Sequence, residues 1–187
     1  NLKDAFDRYV SEKVYEKFRA GEIALEGESK NATILFSDIR SFTSLSERLT
    51  PEEVVAMLNE YFTEMVEIVF KHDGFVNKFI GDALMAISKV PLDQDDAELR
   101  AVKTAIEMVD ALRELNAKRK ARGDFEIKVG LGVNTGAVVA GNIGHERRLE
   151  YTVIGDAVNL AAKLEKGTKA RAVAGVDAAM GRGVLTA

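Results

Sequence analysis

This sequence of 187 residues contains no cysteine and no tryptophan, and only two histidines and two prolines. The absence of cysteine excludes disulfide bonds and thiolate chemistry. Two separate histidines, His72 and His145, do not favour a histidine metal cluster. The sequence shows no apolar run of the roughly 20 residues that cross a bilayer, and no signal peptide. We therefore expect a cytoplasmic segment without direct membrane contact.

The chain also lacks an excess of basic residues. Its 26 Lys and Arg residues are outnumbered by 30 Asp and Glu residues, which gives a net charge of −4. Proteins that bind nucleic-acid backbones usually present a basic face, so the composition argues against nucleic acid as a partner. A nucleotide substrate remains possible, because a small site can be locally positive.

The length suits one domain with one good core. Helical spacing of apolar residues predicts an amphipathic lead-in over residues 1–27, and we assign residues 28–187 to a single domain. The chain starts without Met, so we expect it to be part of a longer protein whose membrane attachment stays open. The lead-in is interpreted either as a helix packed on its own domain or as an element that transmits a signal from an upstream sensor.

The remaining pattern predicts an α+β domain. A first strand over 33–36 precedes a short helix over 41–49, and Thr50-Pro51-Glu52-Glu53 has the residues of a capped helix start. We expect that long helix to end at Gly74 and two strands to follow, over 75–80 and 83–88. A second long helix is predicted over 95–121 and a helix over 156–166; strands are predicted over 125–133, over 137–140 after a turn at 134–136, and before Gly155. This order matches a ferredoxin-like βαββαβ core with an antiparallel sheet and flanking helices. The tail after Gly167 has no clear pattern.

Two aspartates occupy matched places in this arrangement. Asp38 ends the first strand, and Asp82 lies at the tip of the hairpin between the next two strands. If the strands are neighbours, the two carboxylates converge and can hold a divalent cation together with substrate phosphates. Amides at the helix start just after Asp38 can bind an anion. The alternative is that Asp38 only caps this helix.

Two further groups of polar residues have both a structural and a functional interpretation. Lys78 is costly to bury without a partner, so it pairs with a carboxylate such as Asp82 or hydrogen-bonds a base. Asn159 and Lys163 are four residues apart on one predicted helix and therefore share a face. That face is either plain solvent-exposed surface or a site that stabilises charge on a phosphoryl group. Asp156 is predicted to be the N-cap of the same helix.

Several motifs in this order resemble the class III nucleotidyl cyclases, the adenylate/guanylate cyclase catalytic domain. The resemblance covers about residues 6–168. It rests on Phe36-Ser-Asp-Ile-Arg-Ser-Phe-Thr43, Asn77-Lys-Phe-Ile-Gly-Asp82, Asn134-Thr-Gly136, Gly141-Asn-Ile-Gly144 and Tyr151-Thr-Val-Ile-Gly-Asp-Ala-Val-Asn159. Several motifs in register make the match specific, whereas each alone is a weak signal.

The resemblance implies an adenylate cyclase that converts ATP to 3′,5′-cyclic AMP and pyrophosphate, with two Mg²⁺ or Mn²⁺ ions per active site. The implied metal ligands are Asp38, Asp82 and the Ile39 carbonyl. The resemblance also implies roles for other residues. The amides of Ser41, Phe42 and Thr43 would bind the triphosphate, and Lys78 and Thr152 would hydrogen-bond the adenine edge. Phe36 and Val153 would line the base pocket, and Asn159 and Lys163 would stabilise the transition state.

The resemblance also implies a head-to-tail homodimer with sites at the interface, and an upstream sensor domain. Lys163 stands where the family usually has Arg, which keeps the charge but loses the planar guanidinium. This departure and the short tail leave open a weakly active or inactive signalling module. A guanylate cyclase is disfavoured by Lys78, and the Gly-Gly-Asp/Glu-Glu-Phe signature of diguanylate cyclases is absent.

Overall fold

The computed structural model describes residues 19–21, 27–145, 148–168 and 173–177. Most of the predicted lead-in over 1–27 lies outside these described residues. The strands are β1 (Glu28–Ile39), β2 (Phe75–Ile80), β3 (Ala83–Ser88), β4 (Val129–His145), β5 (Arg148–Ile154) and β6 (Val173–Asp177). The helices are α1 (Phe42–Ser46), α2 (Pro51–Lys71), α3 (Ala97–Arg122) and α4 (Asp156–Gly167).

The strands form one sheet in the order β2-β3-β1-β4-β5, with β6 running parallel beside β4. The pairs among the first five strands are antiparallel. The order β2-β3-β1-β4, with α2 and α3 as the two connections, is the ferredoxin-like arrangement. The predicted α+β fold class is therefore confirmed.

Helix α2 begins as its sequence predicts. The Thr50 hydroxyl accepts a hydrogen bond from the Glu53 amide at 3.2 Å, and the Glu53 carboxylate accepts one from the Thr50 amide at 2.7 Å. The predicted role of Gly74 at the helix end is wrong, because Asp73 adopts the left-handed conformation, with φ 56°. Gly74 is instead needed for close packing, since a Cβ there would lie 2.8 Å from a methyl group of Val69.

Side chains of β1 alternate between two cores on opposite faces of the sheet. Leu35 and Ile39 belong to the core that packs against α2 and α3, whereas Ala32 and Ile34 belong to a second core shared with α4. This alternation places Asp38 on the α4 face of the sheet.

Among the described residues, none of the helices combines the length and the apolar composition that a membrane span requires.

Strand β4 differs from the prediction most clearly. Residues 134–136 form no turn, and β4 continues for 17 residues. Asn134 pairs with Ile34 on β1, and its side-chain amide donates to the Ala157 carbonyl at 2.9 Å. The residue at the expected break between two strands therefore lies inside one strand, where its side chain ties β4 to α4.

Other predicted boundaries are corrected by a few residues. The first strand is longer than 33–36, α1 is shorter than 41–49, and α3 and α4 each end one residue later than predicted. Strands β2 and β3 have the predicted bounds. Strand β6, which pairs with Leu131–Thr135 of β4, was not predicted from the tail.

Candidate active site

The predicted metal ligands lie together at one end of the central strands. The hairpin between β2 and β3 closes through Gly81, with φ 62°, and Asp82. Because β3 pairs with β1, Asp82 reaches the end of β1, where its carboxylate accepts a hydrogen bond from the Ile39 amide at 3.2 Å. The Asp82 carboxyl also hydrogen-bonds to the carboxyl of Asp38.

The electrostatics of this pair are those of two acids that share one site. Burial, the hydrogen bond that the protonated Asp82 carboxyl donates to Asp38, and the charge of Asp38 raise the pKa of Asp82 to about 7. Two carboxylates so close cannot both ionise at little cost. A divalent cation between them would remove this repulsion.

The donor set fits a hard divalent cation. Carboxylate and carbonyl oxygens are the ligands that Mg²⁺ takes, usually from one or two carboxylates with the substrate phosphates completing the shell. In the described parts of the chain, no group of three or more His, Cys, Asp or Glu side chains could hold a metal. Asp38, Asp82 and the Ile39 carbonyl would therefore need oxygens from water or from the nucleotide to complete coordination.

The segment after Asp38 turns sharply into α1. Ser41 precedes the helix in the left-handed conformation, with φ 57°, and makes no side-chain cap. Asp38 is three residues before this position, so it is not the helix cap considered from the sequence. The amides of Ser41, Phe42 and Thr43 follow the carboxylate pair in the chain, and their contact with a triphosphate remains a prediction.

On the opposite face of the sheet from Asp38, Ser37 is fully buried and its hydroxyl hydrogen-bonds to that of Tyr61 on α2. Burial raises the pKa of Tyr61, and the hydrogen bond with Ser37 opposes that shift. The charges of Asp38 and Asp82 raise the same pKa further. Tyr61 therefore stays a neutral hydrogen-bonding group beneath the acidic pair.

Lys78 on β2 forms an ion pair with Glu150 on β5. Its ammonium lies 2.9 Å from the Glu150 carboxylate, with side chains 28% and 52% exposed. The alternative that Lys78 pairs with Asp82 is wrong, because β2 ends at Ile80 and the Asp82 carboxylate turns toward β1. Because the Glu150 side chain is exposed, Lys78 can leave this ion pair and contact a ligand instead.

Thr152 is hydrogen-bonded to Asn77, the residue that precedes Lys78 in the chain. The Thr152 hydroxyl donates to the Asn77 side-chain oxygen at 2.9 Å, and the Asn77 amide group donates to the Tyr151 carbonyl at 2.8 Å. The second bond fixes which end of the amide faces Thr152. The hydroxyl proton of Thr152 is therefore committed, and its oxygen is left as an acceptor.

The two predicted base-pocket residues lie in the second core. Val153 is 4% exposed, and the partly buried Phe36 packs against the same cluster. These apolar residues join the strand that carries Asp38 to the strand that carries Thr152. Their contact with a base remains a prediction.

Asn159 and Lys163 share one face of α4, as their spacing predicts. Both line an open cleft of about 710 Å³ between α4 and β4, whose walls also include Asn134, Gly136 and Asp156. The N-cap of α4 is Gly155, so the predicted N-cap role of Asp156 is wrong. The residues lining this cleft do not include Asp38 or Asp82.

Three residues that were not predicted contact the predicted site residues or connect the elements that carry them. Glu150 pairs with Lys78, Asn77 orients Thr152, and Arg40 joins the end of β1 to the end of α4. Asn77 and Arg40 lie inside the motifs Asn77-Lys-Phe-Ile-Gly-Asp82 and Phe36-Ser-Asp-Ile-Arg-Ser-Phe-Thr43, so only their position marked them. Glu150 carried no signal beyond its charge.

Curated relatives include adenylate cyclases. "Adenylate cyclase 1" of Rhizobium meliloti is 39% identical over 136 residues, which are 73% of this chain and 20% of that protein. An adenylate cyclase of Anabaena cylindrica is 36% identical over 178 residues, covering 89% of this chain and 34% of that protein. This chain thus spans about a third or less of these relatives.

Solved structures of cyclases share the fold. The guanylyl cyclase Cya2 is 44% identical with a TM-score of 0.76, covering 79% of this chain and 75% of that chain. The adenylyl cyclase CyaB from P. aeruginosa is 38% identical with a TM-score of 0.77, covering 80% and 78%. The sequence also matches the adenylate and guanylate cyclase catalytic domain over residues 25–180. The chain therefore belongs to this metal-dependent enzyme family, the adenylate and guanylate cyclases.

Proposed function

We propose that this chain is an adenylate cyclase catalytic domain that converts ATP to 3′,5′-cyclic AMP and pyrophosphate. The similarity to two relatives named adenylate cyclase and to the adenylyl cyclase CyaB supports this choice. Because those relatives are several times longer, we place the chain as the output domain of a larger signalling protein with an upstream sensor.

Asp38, Asp82 and the Ile39 carbonyl would hold two divalent cations, Mg²⁺ or Mn²⁺. When bound, such ions acidify the attacking hydroxyl and neutralise phosphate charge. The chain's contribution is to fix the two carboxylates by strand pairing and by the hydrogen bond from the Ile39 amide. The amides of Ser41 to Thr43 would bind the triphosphate.

The observation that carries the choice of ATP is the hydrogen bonding of Thr152. Its proton is committed to Asn77, so Thr152 offers an acceptor, while Lys78 can only donate. Adenine presents an acceptor at N1 and a donor at N6. With Lys78 at N1 and Thr152 at N6, both contacts are complementary. Guanine reverses both groups and would be mismatched at each.

Asn159 and Lys163 would act at the reacting centre, with Asn159 orienting the ribose and Lys163 placing positive charge near the α-phosphate. Preorganised charge of this kind contributes through the transition state. The cleft that these residues line is open, and neither Asp38 nor Asp82 is among its lining residues. We therefore propose a head-to-tail homodimer in which one copy supplies the carboxylates and the other supplies Lys78, Thr152, Asn159 and Lys163.

A guanylate cyclase is the second candidate. The 44% identity to the guanylyl cyclase Cya2 favours it. The donor at Lys78 and the acceptor at Thr152 oppose it, because guanine carries a proton on N1 and an acceptor at O6. Activity with both nucleotides therefore decides between the candidates.

The test is cyclic nucleotide production by the purified chain with ATP or GTP, in Mg²⁺ or Mn²⁺, over a range of protein concentrations. We expect cyclic AMP from ATP, with specific activity rising as protomers associate.

Asp38→Ala and Asp82→Ala should abolish turnover, whereas the control Asp93→Ala, at a side chain 83% exposed, should not. Cyclic GMP as the main product would favour the second candidate. A folded dimer that binds ATP without turnover would indicate a signalling module, and activity in either aspartate variant would refute the metal assignment.

A further inference from the structure

Arg40 connects two parts of the site that the proposed reaction uses separately. One guanidinium nitrogen lies 2.7 Å from the Glu165 carboxylate. The other donates to the Thr168 hydroxyl at 2.8 Å, to the Thr168 carbonyl at 3.0 Å and to the Glu165 carbonyl. These partners lie at the C-terminal end of α4, where helical carbonyls lack partners within the helix. Arg40 therefore closes the end of this helix.

The connection is buried. The Glu165 side chain is 5% exposed and that of Arg40 is 22% exposed. A buried carboxylate needs a countercharge, and Arg40 supplies it. Burial raises the pKa of Glu165, whereas the charge of Arg40 lowers it and that of Asp38 raises it. Arg40 thus offsets an acid that would otherwise add to the repulsion around Asp38.

Two glycines on β4 make room for this contact. A Cβ on Gly130 would lie 1.6 Å from the Arg40 guanidinium, and one on Gly132 would lie 2.4 Å from the Ala161 carbonyl. Helix α4 therefore rests directly on the backbone of β4, with Arg40 filling the space at its end. The Arg40 amide also donates to the Lys128 carbonyl at 2.7 Å, which fixes its backbone.

The two connected segments have different tasks in the proposed reaction. Arg40 directly follows Ile39 and is two residues after Asp38, while Glu165 is on the helix that carries Asn159 and Lys163. In the proposed homodimer, the carboxylates of one copy and the α4 residues of the same copy serve different active sites. A rigid link within one copy therefore joins the two sites.

We infer that Arg40 is a positioning residue whose contacts with Glu165 and Thr168 couple the metal-binding end of β1 to helix α4, and so couple the two active sites of the dimer. The inference rests on the proposed function for its division of labour between copies. The physical link itself does not depend on turnover. A coupling between sites typically changes affinity by about 5–150-fold.

The first test needs no activity. Mn²⁺ alone is titrated into the chain by electron paramagnetic resonance, and amide hydrogen exchange of residues 161–168 is measured with and without Mn²⁺. Arg40→Lys keeps the charge but loses the planar guanidinium. Arg48→Lys is the matched control, because Arg48 stacks on Phe125 with a distance of 4.8 Å to the ring centroid, away from this link.

We expect Mn²⁺ to slow exchange at the end of α4 in the wild type and in Arg48→Lys. In Arg40→Lys, Mn²⁺ should bind at least about fivefold more weakly and leave that exchange unchanged. Thr168→Val, which removes one acceptor, should show a smaller change in the same direction and serves if Arg40→Lys does not fold. Equal Mn²⁺ affinity and equal exchange response in the folded variants would overturn the inference.

The second test separates the two copies. A mixed dimer of an Asn159→Ala copy and an Asp38→Ala copy retains one complete site, with metal ligands from the first and Asn159 from the second. Arg40→Lys is then placed on either copy. We expect both placements to lower kcat by up to about 10²-fold, the cost in rate of misplacing a catalytic group by about 1 Å. An effect only on the copy that supplies the metal ligands would overturn coupling. An inactive mixed dimer without Arg40→Lys would count against the proposed function, and the Mn²⁺ measurements would then decide the inference alone.

Discussion

Replacing Gly132 by alanine should displace the helix that carries Asn159 without touching any residue of the proposed site. A Cβ at this position would lie 2.4 Å from both the Ala161 carbonyl and the Glu165 amide. Both neighbours are backbone atoms of α4, so no side chain can rotate away. Because real Cβ atoms stay beyond 3.0 Å from such atoms, α4 must move by at least 0.6 Å.

Two effects of different size follow from this displacement. A misplacement of about 1 Å in a catalytic group can cost about 10²-fold in rate, so we expect kcat to fall by about 10- to 100-fold. Overpacking of a tight contact costs about 1–3 kcal/mol, which in a chain of this size corresponds to a fall in Tm of about 2–12 °C.

The assay compares steady-state kinetics and thermal unfolding of Gly132→Ala with those of Gly167→Ala. Gly167 is also part of α4, but a Cβ there meets no heavy atom within 4 Å. This control should keep its kcat, and its Tm should be equal or slightly higher because alanine favours helices. If Gly132→Ala retained kcat within twofold and an unchanged Tm, the close seating of α4 on β4 would be refuted.

Three smaller changes test other contacts. Lys163→Arg should raise kcat about tenfold by restoring bidentate phosphate contact; a clear drop would mean that Lys163 has another role. Glu150→Gln should lower KM for ATP by about two- to fivefold with kcat unchanged, because it frees Lys78 from an exposed ion pair; a higher KM would mean that Glu150 contacts the nucleotide. Burial raises the pKa of Glu60, but hydrogen bonds from Arg122 and Arg119 outweigh it and leave that pKa below its usual value. Glu60 therefore stabilises the fold above its unfolded pKa of about 4.5, and this contribution is lost as pH falls through the lower folded value. Glu60→Gln should accordingly lower the free energy of unfolding by about 1–3 kcal/mol at pH 7, with the difference shrinking in acid; an equal difference at pH 3 would contradict this assignment.

Local signals predicted the parts of the fold whose structure depends on near neighbours. The capping residues Thr50 and Glu53 marked the start of α2, and alternation with Gly81 marked the hairpin of β2 and β3. The convergence of Asp38 and Asp82 followed from the predicted strand order, which the structure has. The position of these carboxylates was therefore accessible from the sequence.

Features that depend on distant contacts were not accessible. Asn134 looked like a turn residue, but its side chain binds the backbone of α4, 23 residues away. The partner of Lys78 is Glu150 and that of Arg40 is Glu165, and neither pair has a local spacing rule. Strand β6 has a weak pattern of its own and is held by pairing with β4.

Strand register also determines what kinds of change the carboxylate pair can tolerate. Asp82 reaches Asp38 only because β1 and β3 pair from Thr33 with Ser88 to Ser37 with Leu84. Substitutions along these strands leave that alignment intact, whereas one inserted or deleted residue shifts side chains to the opposite face. An insertion in the loop between β3 and α3 leaves the alignment unchanged. Length variation among natural or engineered forms of this domain is therefore expected in that loop and excluded from the paired segments Thr33–Ser37 and Leu84–Ser88.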